Sequence, residues 1–245
     1  MSADHLAAAT PTTAMVLAAG LGLRMRPLTA DRPKALVEVG GRTLVDRMLD
    51  RLAEVGIAKA IVNVHAFADL LEAHLARRRD LEIIISEERE RLLETGGALK
   101  KARALLGDEP ILVANIDSLW LDGRTPAMAS LLAAWDGEVM DDLLLLAPLE
   151  RAQGFDGPGD FFRAADGRLS HRGDAPAAPL AYMGVQMLDP TIIDAWPEGA
   201  YSIFPRWMEL QVRGRLHGVV MDGRWMHVGD PSARDAAERT LAATS

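Results

Sequence analysis

The chain has 245 residues, 49% of them hydrophobic and 25% charged, with no cysteine and a formal charge of -8. That length suits one large domain, and the missing cysteine excludes disulfide frameworks, thiolate metal sites and cysteine nucleophiles. The acidic balance argues against a nucleic-acid partner, which would call for a basic face. The apolar runs at Ala14–Ala19 and Leu143–Ala147 are too short to span a bilayer.

In chain order, residues 1–13 read as a flexible tail without the pattern of a signal peptide, so a cytoplasmic location is expected. Ala14–Ala18 is a buried strand running into Gly20 and Gly22. Ala35–Val39 reads as a short extended piece. The spacing of Leu44, Val45, Met48, Leu49, Leu52 and Val55 predicts a helix over Thr43–Val55, ended by Gly56. Ala60–Val64 and Leu81–Ile85 are predicted strands, with a helix over Asp69–Arg78 between them. A helix over Gly97–Leu106 follows, then a strand at Ile111–Ala114 that enters the polar stretch Asn115 to Ser118. Leu119–Gly123 reads as a turn, Pro126–Trp135 as a helix and Leu143–Leu149 as a strand.

The pattern changes near Glu150. Residues 151–179 are rich in Gly, Pro and Asp, and read as a small hairpin excursion with extended pieces at Phe161–Arg163 and Arg168–His171. Tyr182–Leu188 returns as a strand. A helix over Ser202–Arg213, strands at Leu216–Met221 and Trp225–Val228, and a closing helix over Pro231–Leu241 complete the chain. Asp230 or Ser232 can cap that last helix. Strands alternating with helices predict an α/β fold on a largely parallel sheet.

The segment after the first strand is the most informative. Leu17, Ala19, Gly20, Gly22, Leu23 and Arg24 lie in a strand-to-loop passage where glycines let the backbone approach a phosphate and aim N–H groups at it. Arg24, Arg26, Arg32 and Lys34 concentrate positive charge in an acidic chain, opposed locally only by Asp31. A dinucleotide fingerprint fails because Met25 stands where the third glycine belongs, and no Walker A string is present. A solvated surface loop, with Lys34 pairing to Asp31, is the plainer alternative.

The run from Met15 to Leu52, with Leu17-Ala-Ala-Gly20-x-Gly22-x-Arg24-x-Arg26-Pro27 and Arg32-Pro33-Lys34, resembles the opening signature of the sugar 1-phosphate nucleotidyltransferases. The resemblance continues through Glu94-Thr95-Gly96-Gly97, Asp117, Phe204 with Trp207, and Trp225-Met-His227-Val-Gly229-Asp-Pro231. It is strongest towards short bacterial enzymes that make UDP-N-acetylmuramate in cell-wall recycling. It implies a three-layer, Rossmann-like fold with a mixed, mostly parallel sheet and a small hairpin insertion. One domain over 14–245 would then divide into a nucleotide-binding half (14–114) and a sugar-binding half (115–245). The implied substrates are a nucleoside triphosphate and a sugar 1-phosphate, the implied ion Mg²⁺ or Mn²⁺, and the protein a monomer or weak homo-oligomer.

By that resemblance Arg24 and Lys34 are the catalytic cations. Leu17, Ala19, Gly20, Gly22, Leu23, Arg24, Thr95 and Gly96 surround the nucleotide. Asn115, Tyr182, Gly184 and Trp207 are candidate sugar contacts, although Trp207 and Trp225 also read as ordinary core residues. Glu87 and Glu88 are possible acceptors for a base N–H. Asp117 is the expected metal ligand. The family's usual second aspartate is replaced by His227, a poorer Mg²⁺ ligand that suits softer divalent ions; Asp222 and Asp230 flank it. Many relatives also place a lysine before the strand matching Tyr182–Leu188. Here Asp174–Ala181 has none, leaving Arg172 or His171 as substitutes. Mannose, heptose or glucose 1-phosphate and phosphocholine are rival acceptors. A non-catalytic nucleotide-binding regulator is the rival of another class.

Overall fold

The computed structural model describes residues 11–244, so the expected tail at 1–13 falls mostly outside the described residues. Pro11 is buried and Thr12 accepts hydrogen bonds from Ala58 and Lys59, which ties the start of the described chain to the sheet. The first half contains β1 (Thr13–Leu17), β2 (Glu38–Val39), β3 (Arg42–Thr43), α1 (Leu44–Glu54), β4 (Lys59–Val64), α2 (Ala68–Leu75), β5 (Glu82–Glu87), α3 (Glu94–Leu106) and β6 (Ile111–Asn115). Then come β7 (Ser118–Leu121), α4 (Ala127–Ala133), β8 (Asp142–Pro148), β9 (Ala152–Gln153), β10 (Phe161–Arg163), β11 (Leu169–His171) and β12 (Leu180–Leu188). The chain ends with α5 (Phe204–Val212), β13 (Leu216–Val220), β14 (Arg224–His227) and α6 (Pro231–Ala242).

β1 pairs in parallel with β4 on one side and β6 on the other, and β5 extends the sheet beyond β4. β12 is antiparallel to both β6 and β8, while β8 and β13 are parallel to each other. The result is a mixed, mostly parallel sheet with β10 and β11 attached as a hairpin beside Leu180. The division expected after residue 114 falls inside β6, and the sheet is continuous across it.

Alternation along the strands builds both faces. Ala14, Val16, Ala60, Val62, Leu112 and Ala114 join one buried cluster, with Leu44, Met48 and Leu52 of α1 and Leu71 of α2. Met15, Ile61, Ile111 and Val113 join the other, with Leu99 and Leu106 of α3 and Trp207 and Leu210 of α5. A period of two in the strands against helical spacing in the flanking segments therefore gives three layers.

Several local readings need correction. Leu119–Gly123 is not a turn but mostly strand: β7 pairs with β14, matching Ser118 to His227. Lys34–Leu36 forms a 3-10 turn and leaves only two residues for β2. α3 starts at Glu94, not Gly97. Gly96 and Gly97 are close-packing residues: both donate their N–H to the Tyr201 carbonyl, and a Cβ on Gly96 would stand 2.4 Å from the Tyr201 ring. Thr43 caps α1, accepting from the Asp46 N–H, and Asp230 caps α6, accepting from the Ala233 N–H.

Candidate active site

The central position of β1 puts its carboxyl end between those of β4 and β6, where open α/β sheets hold their ligands. A cleft of about 380 Å³ opens there, large enough for a small ligand. Leu17, Ala19, Gly20, Gly22, Leu23, Arg24, Lys34, Thr95, Asn115 and Asp117 all line it. The two glycines differ. Gly22 has φ +61, and a Cβ there would lie 3.0 Å from the Lys34 Cβ and 3.1 Å from Thr29 Cγ2. Thr29 Oγ1 also donates to its carbonyl at 2.8 Å, so the protein's own packing demands Gly22. A Cβ on Gly20 would meet nothing within 4 Å. No protein atom requires that glycine; it leaves the cleft wall bare.

Lys34 is buried in spite of its charge, and its Nζ donates to Asp117 Oδ2 at 2.7 Å. The plainer pairing of Lys34 with Asp31 is excluded, because Asp31 binds Arg32. Burial pushes the Asp117 carboxyl up, but the Lys34 charge, then His227, and the hydrogen bond from Lys34 outweigh it and hold the group below its ordinary value. Asp117 is therefore an anion with 23% of its side chain still open. Its carbonyl accepts from the Val228 N–H at 2.9 Å, joining the end of β6 to the end of β14.

His227 follows from that β7–β14 register. Burial pushes its imidazole below 6.5, Asp117 partly offsets this, and the nearby Lys34 and Arg24 push it down further. The ring is thus neutral near pH 7, with a lone pair free for a metal ion or a donor. A Cβ on Gly229 would lie 2.8 Å from His227 Nε2 and 3.5 Å from Arg24 Nη2, so the two side chains converge over that glycine. Arg24 is exposed and its guanidinium makes no ion pair among the described residues.

The remaining candidates separate. Gly96 does not line the cleft, because Tyr201 fills the space in front of it. Gly184 has φ +79 at an irregularity in β12, and a Cβ there would meet Asn115 Nδ2 at 2.9 Å; it makes room for Asn115. Trp207 is a core residue: its Nε1 donates to the buried Asp142 at 2.9 Å and its ring meets Tyr182 edge-on at 4.8 Å. The Tyr182 hydroxyl donates to Gln186 Oε1, and burial together with Asp142 and Asp117 pushes its phenol well above the ordinary range. Trp225 is also core, donating to Ser118 Oγ at 2.8 Å.

Arg172 is committed to the carbonyls of Gly159 and Ala175, and His171 Nδ1 accepts from the Gly173 N–H, so neither replaces the missing lysine in the cleft. Asp222 accepts from the Arg124 N–H, as Asp230 does from Ala233. Glu87 and Glu88 do not line the cleft.

Two lining residues, Asn63 and Leu92, lay outside every segment singled out for function in the sequence. Asn63 interrupts an apolar strand, a pattern that marks a buried polar group needing partners. Leu92 had no distinguishing signal. Glu94, the first residue of the loop expected beside the base, does reach the cleft, but at φ +59, a left-handed backbone that its sequence context does not announce.

Residues 13–153 match the nucleotidyl transferase family model. The chain is 52% identical to N-acetylmuramate alpha-1-phosphate uridylyltransferase of Caulobacter vibrioides, over 95% of this chain and 98% of the relative. The protein of that name from Neisseria meningitidis is 29% identical, over 88% and 92% of the two chains. Among solved structures, HddC from Yersinia pseudotuberculosis superposes with a TM-score of 0.75 at 19% identity, covering 94% of this chain and 99% of that one. That likeness speaks to the fold.

Proposed function

The chain belongs to the nucleotidyl transferase family, and from that premise we propose that it transfers the uridylyl group of UTP to N-acetylmuramate 1-phosphate and releases pyrophosphate. The choice of base and acceptor follows the Caulobacter relative, whose likeness runs the length of both chains. The observation that carries the chemistry is the convergence of Arg24, the Lys34–Asp117 pair and His227 beside a glycine-lined loop, within a protein of net charge -8.

A sugar phosphate oxygen attacks the α-phosphorus. An O–P bond forms there as the bond to the bridging oxygen of the departing pyrophosphate breaks. The attacking phosphate already carries the negative charge a nucleophile needs, so no strong protein base is required. Alignment and charge offset supply the rate. Lys34 gives one N–H to Asp117 and keeps two for phosphate oxygens. Arg24 offers a planar fork suited to the same oxygens. Asn115, given room by Gly184, lines the same cleft and on this reading meets the acceptor.

Among the described residues no three acidic or histidine side chains gather into a metal-binding group. The cleft supplies one carboxylate, Asp117, and one neutral imidazole, His227. That set fits a divalent ion carried largely by phosphate oxygens and water, with the imidazole making Mn²⁺ a good alternative to Mg²⁺. When bound, such an ion adds positive charge at the reacting phosphate. On the same reading the protein serves cell-wall recycling in the cytoplasm, as a monomer or weak homo-oligomer.

The test is pyrophosphate release with each nucleoside triphosphate against the 1-phosphates of N-acetylmuramate, mannose, heptose and glucose, and phosphocholine, in Mg²⁺ or Mn²⁺. UTP with N-acetylmuramate 1-phosphate should be fastest. A faster reaction of GTP with mannose or heptose 1-phosphate would overturn the substrate assignment. Nucleotide binding without pyrophosphate release would make the protein a regulator.

A further inference from the structure

A buried chain of hydrogen bonds joins the glycine loop of the cleft to its 92–95 segment. Asn63, the penultimate residue of β4, is 3% exposed; its Oδ1 accepts from the backbone N–H of Ala18 at 2.6 Å and of Ala19 at 3.1 Å. Its Nδ2 donates to Glu88 Oε1 at 2.8 Å. Glu88, just past β5, is 1% exposed, and its Oε2 accepts from the Leu93 N–H at 2.9 Å. The relay thus runs from the glycine loop across two strands to the segment that presents Leu92, Glu94 and Thr95 to the cleft.

Its polarity is set at both ends. Backbone N–H groups can only donate, so Ala18 and Ala19 require the amide oxygen of Asn63. The Asn63 NH₂ must then face an acceptor. At position 88 one side chain has to accept twice, from Asn63 and from Leu93, and a carboxylate does so with its two oxygens. No lysine or arginine pairs with Glu88 among the described residues. A buried carboxylate served only by neutral donors is a costly choice for packing alone. An amide at 88 would keep the shape but bring a donor against a donor somewhere along the relay.

We propose that Glu88 and Asn63 are positioning residues: the Glu88 carboxylate orients the Asn63 amide, which pins the backbone at Ala18 and Ala19 and holds the loop and the 92–95 segment in register for a nucleoside triphosphate. The identity of the ligand rests on the transfer reading above; the geometry of the relay does not.

The test compares wild type with Glu88→Gln, Asn63→Asp and the double variant. It reads kcat and KM for UTP, calorimetric UTP affinity, and hydrogen exchange at the Ala18 and Ala19 amides. Glu88→Gln leaves a buried donor facing a donor, so KM and Kd for UTP should rise about ten-fold or more with kcat less affected, and the two amides should exchange faster. Asn63→Asp sets two carboxylates face to face and should do at least as much harm. In the double variant the carboxylate at position 63 accepts from Ala18, Ala19 and the amide NH₂ at position 88, while the carbonyl of that same amide accepts from Leu93. Every contact regains a partner of the right kind, and UTP affinity and amide protection should return towards wild type.

Single variants with wild-type KM and exchange would overturn the proposal, as would a double variant no better than the worse single one. If wild type released no pyrophosphate, the transfer reading alone would fall. Amide exchange and its rescue would still decide the relay.

Discussion

The two walls of the cleft use polar groups in opposite ways. Around β1 the polar side chains act on the backbone: Asn63 holds Ala18 and Ala19, Thr29 holds Gly22, and the cations Arg24 and Lys34 keep donors for a ligand. Around β12 they act on one another: Tyr182 donates to Gln186, and Gln186 and Trp207 both donate to Asp142. The first wall is a preformed frame with its charges left open. The second is a polar network folded into the core, presenting Asn115 at its edge. Sequence position alone does not distinguish these uses, since both walls carry the residue types expected of a binding site.

The contrast can be broken most directly at Lys34. Lys34→Ala should lower kcat/KM for pyrophosphate release by about 10²–10³-fold, the usual loss when a fixed charge facing a transition state is removed. A folded variant with near-normal activity, judged by steady-state kinetics and melting temperature, would mean that Lys34 serves only to neutralise Asp117.

The glycines sharpen the comparison within the first wall. Gly22→Ala strains a left-handed residue against Lys34 and Thr29 and should cost about 1–2 kcal/mol of stability. Gly20→Ala meets no protein atom and should leave the melting temperature unchanged while raising KM for the nucleotide. Equal stability losses in the two would remove the distinction.

For the second wall the sensitive probe is Asp142. It is fully buried, its Oδ1 has no hydrogen-bond partner, and burial, aided by the charge of Asp141 and partly offset by the Trp207 hydrogen bond, pushes its carboxyl well above 3.8. The folded state keeps a proton that the unfolded chain releases above that value. Stability therefore falls as pH rises from 3.8 towards the folded value, by up to about 1.4 kcal/mol per unit. Asp142→Asn removes this dependence. Its melting temperature should exceed that of wild type at pH 7, with the gain shrinking as pH falls towards 3.8, and KM for the sugar phosphate should barely move. A large KM change would bring the Asp142–Trp207 network back into the acceptor site.

The smallest effect is expected at His227. His227→Asp should improve the rate in Mg²⁺ relative to Mn²⁺ by a few-fold at most, because a carboxylate is the harder ligand. An unchanged metal preference in a folded variant would place His227 outside the ion's reach.

Much of this was legible in the chain, for reasons that particular residues make clear. The unbroken apolar run from Ala14 into Gly20 and the helical spacing of Leu44, Met48 and Leu52 are short-range patterns, so the strand and the helix could be read directly. The glycine loop was equally legible, because Gly20, Gly22, Arg24 and Lys34 lie close together in sequence. What failed to show was longer-range. Gly96 looked like a loop glycine until Tyr201 packed against it, and Trp207 stood open between sugar contact and core residue until Asp142 took its N–H.

Composition and short-range pattern were enough to establish an α/β chain with a cationic, glycine-bearing turn after its first strand, because helix and strand periods and turn chemistry act over a few neighbouring residues. Which of its polar side chains face a ligand and which are buried among partners required the folded chain. The pairs that settle it, Lys34 with Asp117, Asn63 with Glu88 and Asp142 with Trp207, are separated by 83, 25 and 65 residues. Hydrogen bonds across such distances exist only once the sheet has fixed which strands are neighbours.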